Sequence, residues 1–199
     1  KVTTTTISKE QYEYALAAVE KAGLEDKITL LLEDYRLLTG TYSKLVSVEM
    51  IEAVGHKQYP VYFTQCSNLL QNDGLMCIQA ITIADQRYQR SLKSVDFIQR
   101  YIFPGGCLPS NEIISKSVSQ HTDMQIVSLE DIGLHYADTL ADWRHRFEQQ
   151  LDKVKAQGFN ETFIRMWDFY LAYCEGAFRE RSISTAHFVF AKPRANVTP

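Results

Sequence analysis

The chain has 199 residues, with 21 Lys and Arg against 24 Asp and Glu and a formal net charge of −3. Hydrophobic residues at 45% and charged residues at 23% match a globular chain with a substantial core, which excludes a disordered or collagen-like polymer. Nucleic-acid binding would need a clustered excess of Lys and Arg that this balance lacks, and no apolar run approaches the ~20 residues of a spanning helix.

Residues 1–7 (KVTTTTI) form a β-branched run that favours an extended strand. Ser8 to Gln11 then spells an S-x-x-Q capping box, and Tyr12, Ala15, Leu16 and Val19 give the helix that follows one apolar face. Gly23 stops it. Residues 28–32 and 45–48 read as the next two strands, and 58–71 as a helix closed by the Asn72-Asp73-Gly74 turn. Residues 75–82 (LMCIQAIT) are apolar enough for a central strand. Helical segments follow at 95–101 and 111–120, a strand at 124–129, long amphipathic helices at 136–157 and 161–181, and a last strand at 185–191. This alternation predicts one α/β domain with a doubly wound, mainly parallel sheet and an antiparallel C-terminal edge. The chain opens at Lys1, without Met and inside a strand, and is read as a fragment.

The four cysteines (Cys66, Cys77, Cys107, Cys174) are scattered without a C-x-x-C pair, which fits reduced, mostly buried thiols of a cytosolic protein rather than a metal or disulfide framework. The N-x-T sequences at Asn160 and Asn196 are read as chance matches.

In an open α/β sheet, ligands gather at the carboxyl ends of the strands. Thr6 and Ser8, Asp34 and Tyr35, and Glu49 with Glu52 stand at such ends. Each has a plain alternative: strand end and helix cap, turn residue, solvated charge pair. Gln79 is harder to dismiss, because an amide among Met76, Cys77, Ile78 and Ile81 must be hydrogen-bonded if buried. His56 follows Glu52 by four residues, which on a helix would put both on one face. His121, His135, His145 and His187 read as surface or packing residues, and Trp143 and Trp167 as core. Phe103 with Pro104-Gly105-Gly106 would either shape a pocket or form a simple turn. Periodicity goes no further than a ligand-binding α/β domain.

The segments TTTTISKEQ, LEDYR, LVSVEMIEAVGHKQY, LMCIQAIT, YIFPGGCLPS, LHYADTLADWRHRF and FRERSI, in this order, resemble the cyclopropane-fatty-acyl-phospholipid synthase family. These are class I S-adenosylmethionine-dependent methyltransferases with a Rossmann-like fold, a group that also holds the mycolic acid cyclopropane synthases. The resemblance covers essentially the whole chain. It implies a peripheral cytoplasmic enzyme that transfers a methylene group to the cis double bond of unsaturated phospholipid acyl chains at the membrane surface, with no nucleic-acid partner and with room for a homo-oligomer.

The same resemblance assigns residues. Thr6, Ile7, Gln11, Asp34, Tyr35, Val48 and Glu49 fall at S-adenosylmethionine-binding positions. Glu52, Tyr136 and the Ile81 backbone fall at positions that hold a bicarbonate ion as base. Read from its spacing alone, His56 is a metal ligand, a base or a hydrogen-bonding support of the site; no second ligand stands at useful spacing, so support is the expectation, with no metal. Where the family usually has histidine, this chain has Gln79, which can hydrogen-bond an anion but cannot exchange a proton like imidazole. The first strand with its glycine-rich turn, and the family's bicarbonate-contacting cysteine, are expected upstream of Lys1. Relatives that methylate carbon or nitrogen without closing a ring, or a non-catalytic lipid-binding module, are the alternatives. Because that first strand is the central one, the chain by itself is expected to bind S-adenosylmethionine weakly or not at all. Isothermal titration tests this, and tight binding by the 199 residues would refute it.

Overall fold

The computed structural model describes residues 1–197, and its contacts divide into two units, Lys1–Tyr42 and the chain from Ser43 onward. In the first unit β1 (Val2–Thr6) and β2 (Ile28–Leu32) pair in parallel, Thr6 opposite Leu32, with α1 (Lys9–Ala22) between them in the chain. Ser8 caps α1 by accepting the Gln11 N–H at 3.2 Å. The expected return bond of the capping box is replaced: the Ser8 N–H donates to Thr6 Oγ1 (3.1 Å), whose hydroxyl donates to Gln11 Oε1 (2.8 Å). Gly23 ends the helix at φ 62°, the left-handed conformation that glycine adopts without a Cβ clash. No residue of this unit is buried.

The second unit contains the core. Among the described residues its sheet has the order β3-β4-β6-β5, from β3 (Tyr42–Val48), β4 (Leu70–Ile83), β5 (Gln125–Asp131) and β6 (Ile183–Ala191). β6 runs antiparallel to both β4 and β5, so those two share one direction with a reversed strand between them. The antiparallel C-terminal part is therefore present, with the reversed strand one place in from the edge. Met76, Ile78, Ala80 and Thr82 alternate into the core, while Cys77, Gln79, Ile81 and Ile83 face the other side. Phe188 and Phe190 do the same on β6 and stack on one another, and Phe190 meets Phe63 edge-on.

The helices correct several boundaries. The expected helix 58–71 is α3 (Tyr59–Asn68), and β4 already starts at Leu70, inside the stretch read as helix and turn. α4 (Asp85–Ser91) is a polar helix with one buried side chain, Tyr88, and its sequence carries no apolar period. The helix expected at 95–101 is α5 (Phe97–Tyr101), started by a full capping box between Asp96 and Gln99. α6 (Asn111–His121) stands as expected. The long helix expected over 136–157 is two: α7 (Gly133–Gln149) and α8 (Leu151–Ala156), separated where the Gln150 N–H turns back to Phe147 O. α9 (Glu161–Arg179) is capped by Asn160, whose side chain accepts the Phe163 N–H. The second N-x-T sequence ends at Thr198, outside the described residues. All four cysteines are free, with Cys66 buried and the others partly so.

Lys192, just after β6, is a buried cation. Its Nζ donates to Asp123 Oδ1 at 2.5 Å and to Ser67 Oγ at 3.1 Å, and the Ser67 hydroxyl donates to the same Asp123 oxygen at 3.0 Å. Burial works against the Asp123 anion, yet the ammonium and the hydroxyl together hold its carboxyl below the usual range. The cluster ties α3, the lead-in to β5 and the end of β6. Lys192→Met is expected to cost about 1–3 kcal/mol, because it strips a donor from two groups at once. A lower urea midpoint with unchanged slope is the expected reading.

Candidate functional site

Three strand ends and one helix start build the site of the second unit. β3 ends at Val48, and Glu49 follows with φ 49°, a left-handed conformation uncommon for a side chain like glutamate. Its N–H donates to Gln79 O at 2.9 Å, which locks the turn against β4. The short α2 (Ile51–Val54) then carries Glu52 back over the same strand, where Glu52 Oε1 accepts the Ile81 N–H at 2.5 Å. α7 begins against β6: the Ile132 N–H donates to Thr185 O, and a Cβ on Gly133 would lie 2.2 Å from Ser184 Oγ. A side chain at this position would have to push aside the Ser184 hydroxyl, which donates to Asp131.

Glu49 is the hub. Gln79 Nε2 donates to Glu49 Oε1 at 2.8 Å, and the Tyr136 hydroxyl donates to Glu49 Oε2 at 3.2 Å. A carboxylate only accepts, so the Gln79 amide nitrogen must face Glu49 and the amide oxygen must face away. That oxygen lies 3.1 Å from His187 Nε2, which therefore carries the proton. Gln79 and His187 are directly paired across the β4–β6 ladder. The expectation that His187 is a plain surface or packing residue is corrected. Phe188 and Phe190 on the core face place it by alternation on the site face, but its partner is set by register, which no local sequence signal records.

Burial pushes the Glu52 carboxyl up to about 7, with the nearby Glu49 charge adding to the rise and the Ile81 N–H opposing it. Its Oε2 is buried without a hydrogen-bond partner. Burial, with the Glu49 charge in support, likewise raises the Tyr136 phenol, which stays protonated and a donor. Tyr136 packs against Phe178 (ring centroids 5.0 Å) and Trp143 (6.2 Å), and Trp167 against Tyr170 (5.0 Å), which also meets Phe103 (6.3 Å). Trp143 is 46% exposed, so it is not the core residue expected; Trp167 is partly buried beside Leu171 and Phe178. The Phe103–Cys107 segment is a genuine turn, with Gly105 at φ 84°, and Cys107 N–H donates to Glu52 O at 2.8 Å.

His56 does not share a helical face with Glu52. α2 ends at Gly55, φ 80°, and His56 lies exposed in a 3-10 turn beyond the break. Val48 is exposed at the end of β3. In the first unit, Thr6, Ile7 and Gln11 gather at the carboxyl end of β1, and Asp34 and Tyr35 at the carboxyl end of β2. Asp34 caps the 3-10 turn Tyr35–Leu37 and is gripped by Arg36, whose side chain and N–H hold its carboxyl down at about 2. Among the described residues, no group of three or more His, Cys, Asp or Glu is placed to hold a metal. Nor is any helix of the described residues long and apolar enough to cross a membrane.

The strand order, with the reversed strand one place in from the edge, agrees with the class I methyltransferase fold of the solved structure it matches. A mycolic acid cyclopropane synthase solved with SAH and CTAB matches it with a TM-score of 0.87 at 25% identity, over 96% of this chain and 70% of that one. The family model of mycolic acid cyclopropane synthetase matches residues 1–188, and the chain belongs to that family. It is 44% identical over 174 residues to the tuberculostearic acid methyltransferase of Mycobacterium tuberculosis, covering 87% of this chain and 41% of the relative. Against the cyclopropane-fatty-acyl-phospholipid synthase of Escherichia coli the identity is 37% over 187 residues, covering 94% and 46%. The chain thus spans less than half the length of either curated relative.

The Glu52 environment makes a pH prediction. Below its ordinary value of 4.5 both folded and unfolded chains hold the proton. Between there and about 7 the unfolded chain releases it while the folded chain retains it, so stability falls as pH rises through that window. The loss is of order 3 kcal/mol. Glu52→Gln is expected to flatten it, as read by urea unfolding at a series of pH values.

Proposed function

We propose that this chain forms part of an S-adenosylmethionine-dependent enzyme that adds a methylene group across the cis double bond of unsaturated phospholipid acyl chains, closing a cyclopropane ring. The observation that carries the reading is a polar cluster, in which Glu49 accepts from Gln79 and Tyr136 and Glu52 accepts from the Ile81 N–H, beside the aromatic rings of Trp143 and Phe178 that pack on Tyr136. An alkene is a weak nucleophile, and its methylation leaves a positive centre on carbon. Aromatic faces stabilise such a centre without capturing it as a nucleophile would. A nearby base then completes the reaction.

The donor set fits S-adenosylmethionine, which when bound supplies an electrophilic sulfonium methyl. Thr6 and Gln11 place a hydroxyl and an amide, bonded to each other, at the carboxyl end of β1, and Asp34 places an ionised carboxylate, held by Arg36, beside Tyr35 at the end of β2. Ile7 and Val48 present exposed apolar surface and carry the same assignment. Bicarbonate fits poorly. Its expected donors, the Tyr136 hydroxyl, the Gln79 amide and the Ile81 N–H, are already engaged by Glu49 and Glu52.

A second reading, methylation without ring closure, is favoured by the 44% identity to a protein named as a tuberculostearic acid methyltransferase. Products separate the two. The full-length protein, incubated with S-adenosylmethionine and unsaturated phospholipid vesicles, is expected to yield acyl chains that gain one CH2 and lose the double bond. Retention of an alkene, or a saturated methyl branch, would select the second reading. Tyr136→Phe is expected to slow either reaction about tenfold to a hundredfold, since it removes one donor from the Glu49 carboxylate.

A further inference from the structure

The three groups that would hold an external anion are satisfied by the chain's own carboxylates. Glu49 takes the Gln79 amide at 2.8 Å and the Tyr136 hydroxyl at 3.2 Å, and Glu52 takes the Ile81 N–H at 2.5 Å. A free anion placed there would have to displace the donors that Glu49 and Glu52 already hold, so its binding is opposed by lost hydrogen bonds.

Glu49 is also held where a glutamate is least at ease. Its φ of 49° would suit glycine, and a non-glycine residue persists in that region only when its surroundings over-determine it. Here they do: the Glu49 N–H is bonded to Gln79 O and both side-chain oxygens receive donors. His187 fixes the Gln79 amide from the other side, so the chain His187–Gln79–Glu49–Tyr136 is continuous and each member orients the next. Of the two acids, Glu52 has one buried oxygen without a partner and is pushed by burial toward its neutral form, whereas Glu49 has a donor on each of its two oxygens.

We infer that the Glu49 carboxylate is itself the base of the reaction, occupying the place of a bound bicarbonate ion. The inference rests on the methylene-transfer reading above. Once the new carbon–carbon bond to the methyl has formed, with the sulfur keeping the electron pair of the broken bond, the acyl chain carries a positive centre beside that methyl. Glu49 takes one methyl proton, the electrons of that C–H bond close the three-membered ring, and the neutral Glu49 passes its proton to water. Charge balances: one sulfonium charge enters and one proton leaves. Gln79 and His187 are positioning residues, because they act through the orientation of Glu49.

The test uses the full-length protein with S-adenosylmethionine and unsaturated phosphatidylglycerol vesicles in buffer scrubbed of carbon dioxide, with and without added sodium bicarbonate. The native enzyme is expected to be indifferent to bicarbonate, and Glu49→Gln to lose at least about a hundredfold in turnover. Glu49→Gly, whose backbone suits φ 49° and so folds without strain, is expected to be inactive in scrubbed buffer and partly rescued by bicarbonate. A native enzyme that fails without bicarbonate, or a Glu49→Gln variant within threefold of native, would overturn the inference. Carbon-13 line broadening of labelled bicarbonate gives a readout that needs no turnover: none is expected with native protein, and broadening with Glu49→Gly. If no lipid is methylated under any condition, the function reading fails, while bicarbonate binding by the native protein would still decide against Glu49.

Discussion

The antiparallel ladder between β4 and β6 is the constraint on which the second unit depends. Its register pairs Gln79 with His187 and Ile81 with Thr185, and the pleat sends every second residue to the opposite face. One face therefore collects Met76, Ile78, Phe188 and Phe190 into the core, and the other collects the polar groups that meet Glu49 and Glu52. A slip of one residue would exchange the two sets, so the same apolar packing that stabilises the sheet also specifies the site.

Two acids three residues apart stand in different surroundings. Glu49 sits partly open with a donor on each oxygen, while Glu52 is turned inward against one backbone N–H, and burial drives it toward its neutral form. Driving one of two neighbouring carboxylates toward its neutral form reduces the repulsion that two adjacent negative charges would meet. Strain is concentrated at the same place. The left-handed Glu49 and the close approach of Gly133 to Ser184 both serve to bring side chains from β3, β4 and α7 to one point.

Much of this was legible in the residues. The β-branched run, the Ser8 cap and Gly23 located β1 and α1 closely, because each depends on chemistry within a few residues. The strands at the end of β3 and along β4 and β6 were also recognisable from their composition. Failures came where local pattern was silent or ambiguous. α4 has a single buried side chain and thus no period, the turn signal at Asn72-Asp73-Gly74 lies inside β4, and the helix over 136–157 is interrupted at Gln150 with no Gly or Pro to announce it. The spacing of Glu52 and His56 suggested a shared face, but Gly55 breaks the helix between them.

What the sequence by itself determined is the family, the alternation of strands and helices, and the need of Gln79 for a partner, since a polar amide in an apolar strand must be satisfied wherever the strand lies. What only the tertiary structure decided is who that partner is. Glu49 and His187 stand 30 and 108 residues from Gln79, and they reach it through strand register and a left-handed turn. Register is a property of two strands packed together, set by which faces exclude water across the whole sheet. No window of neighbouring residues contains it.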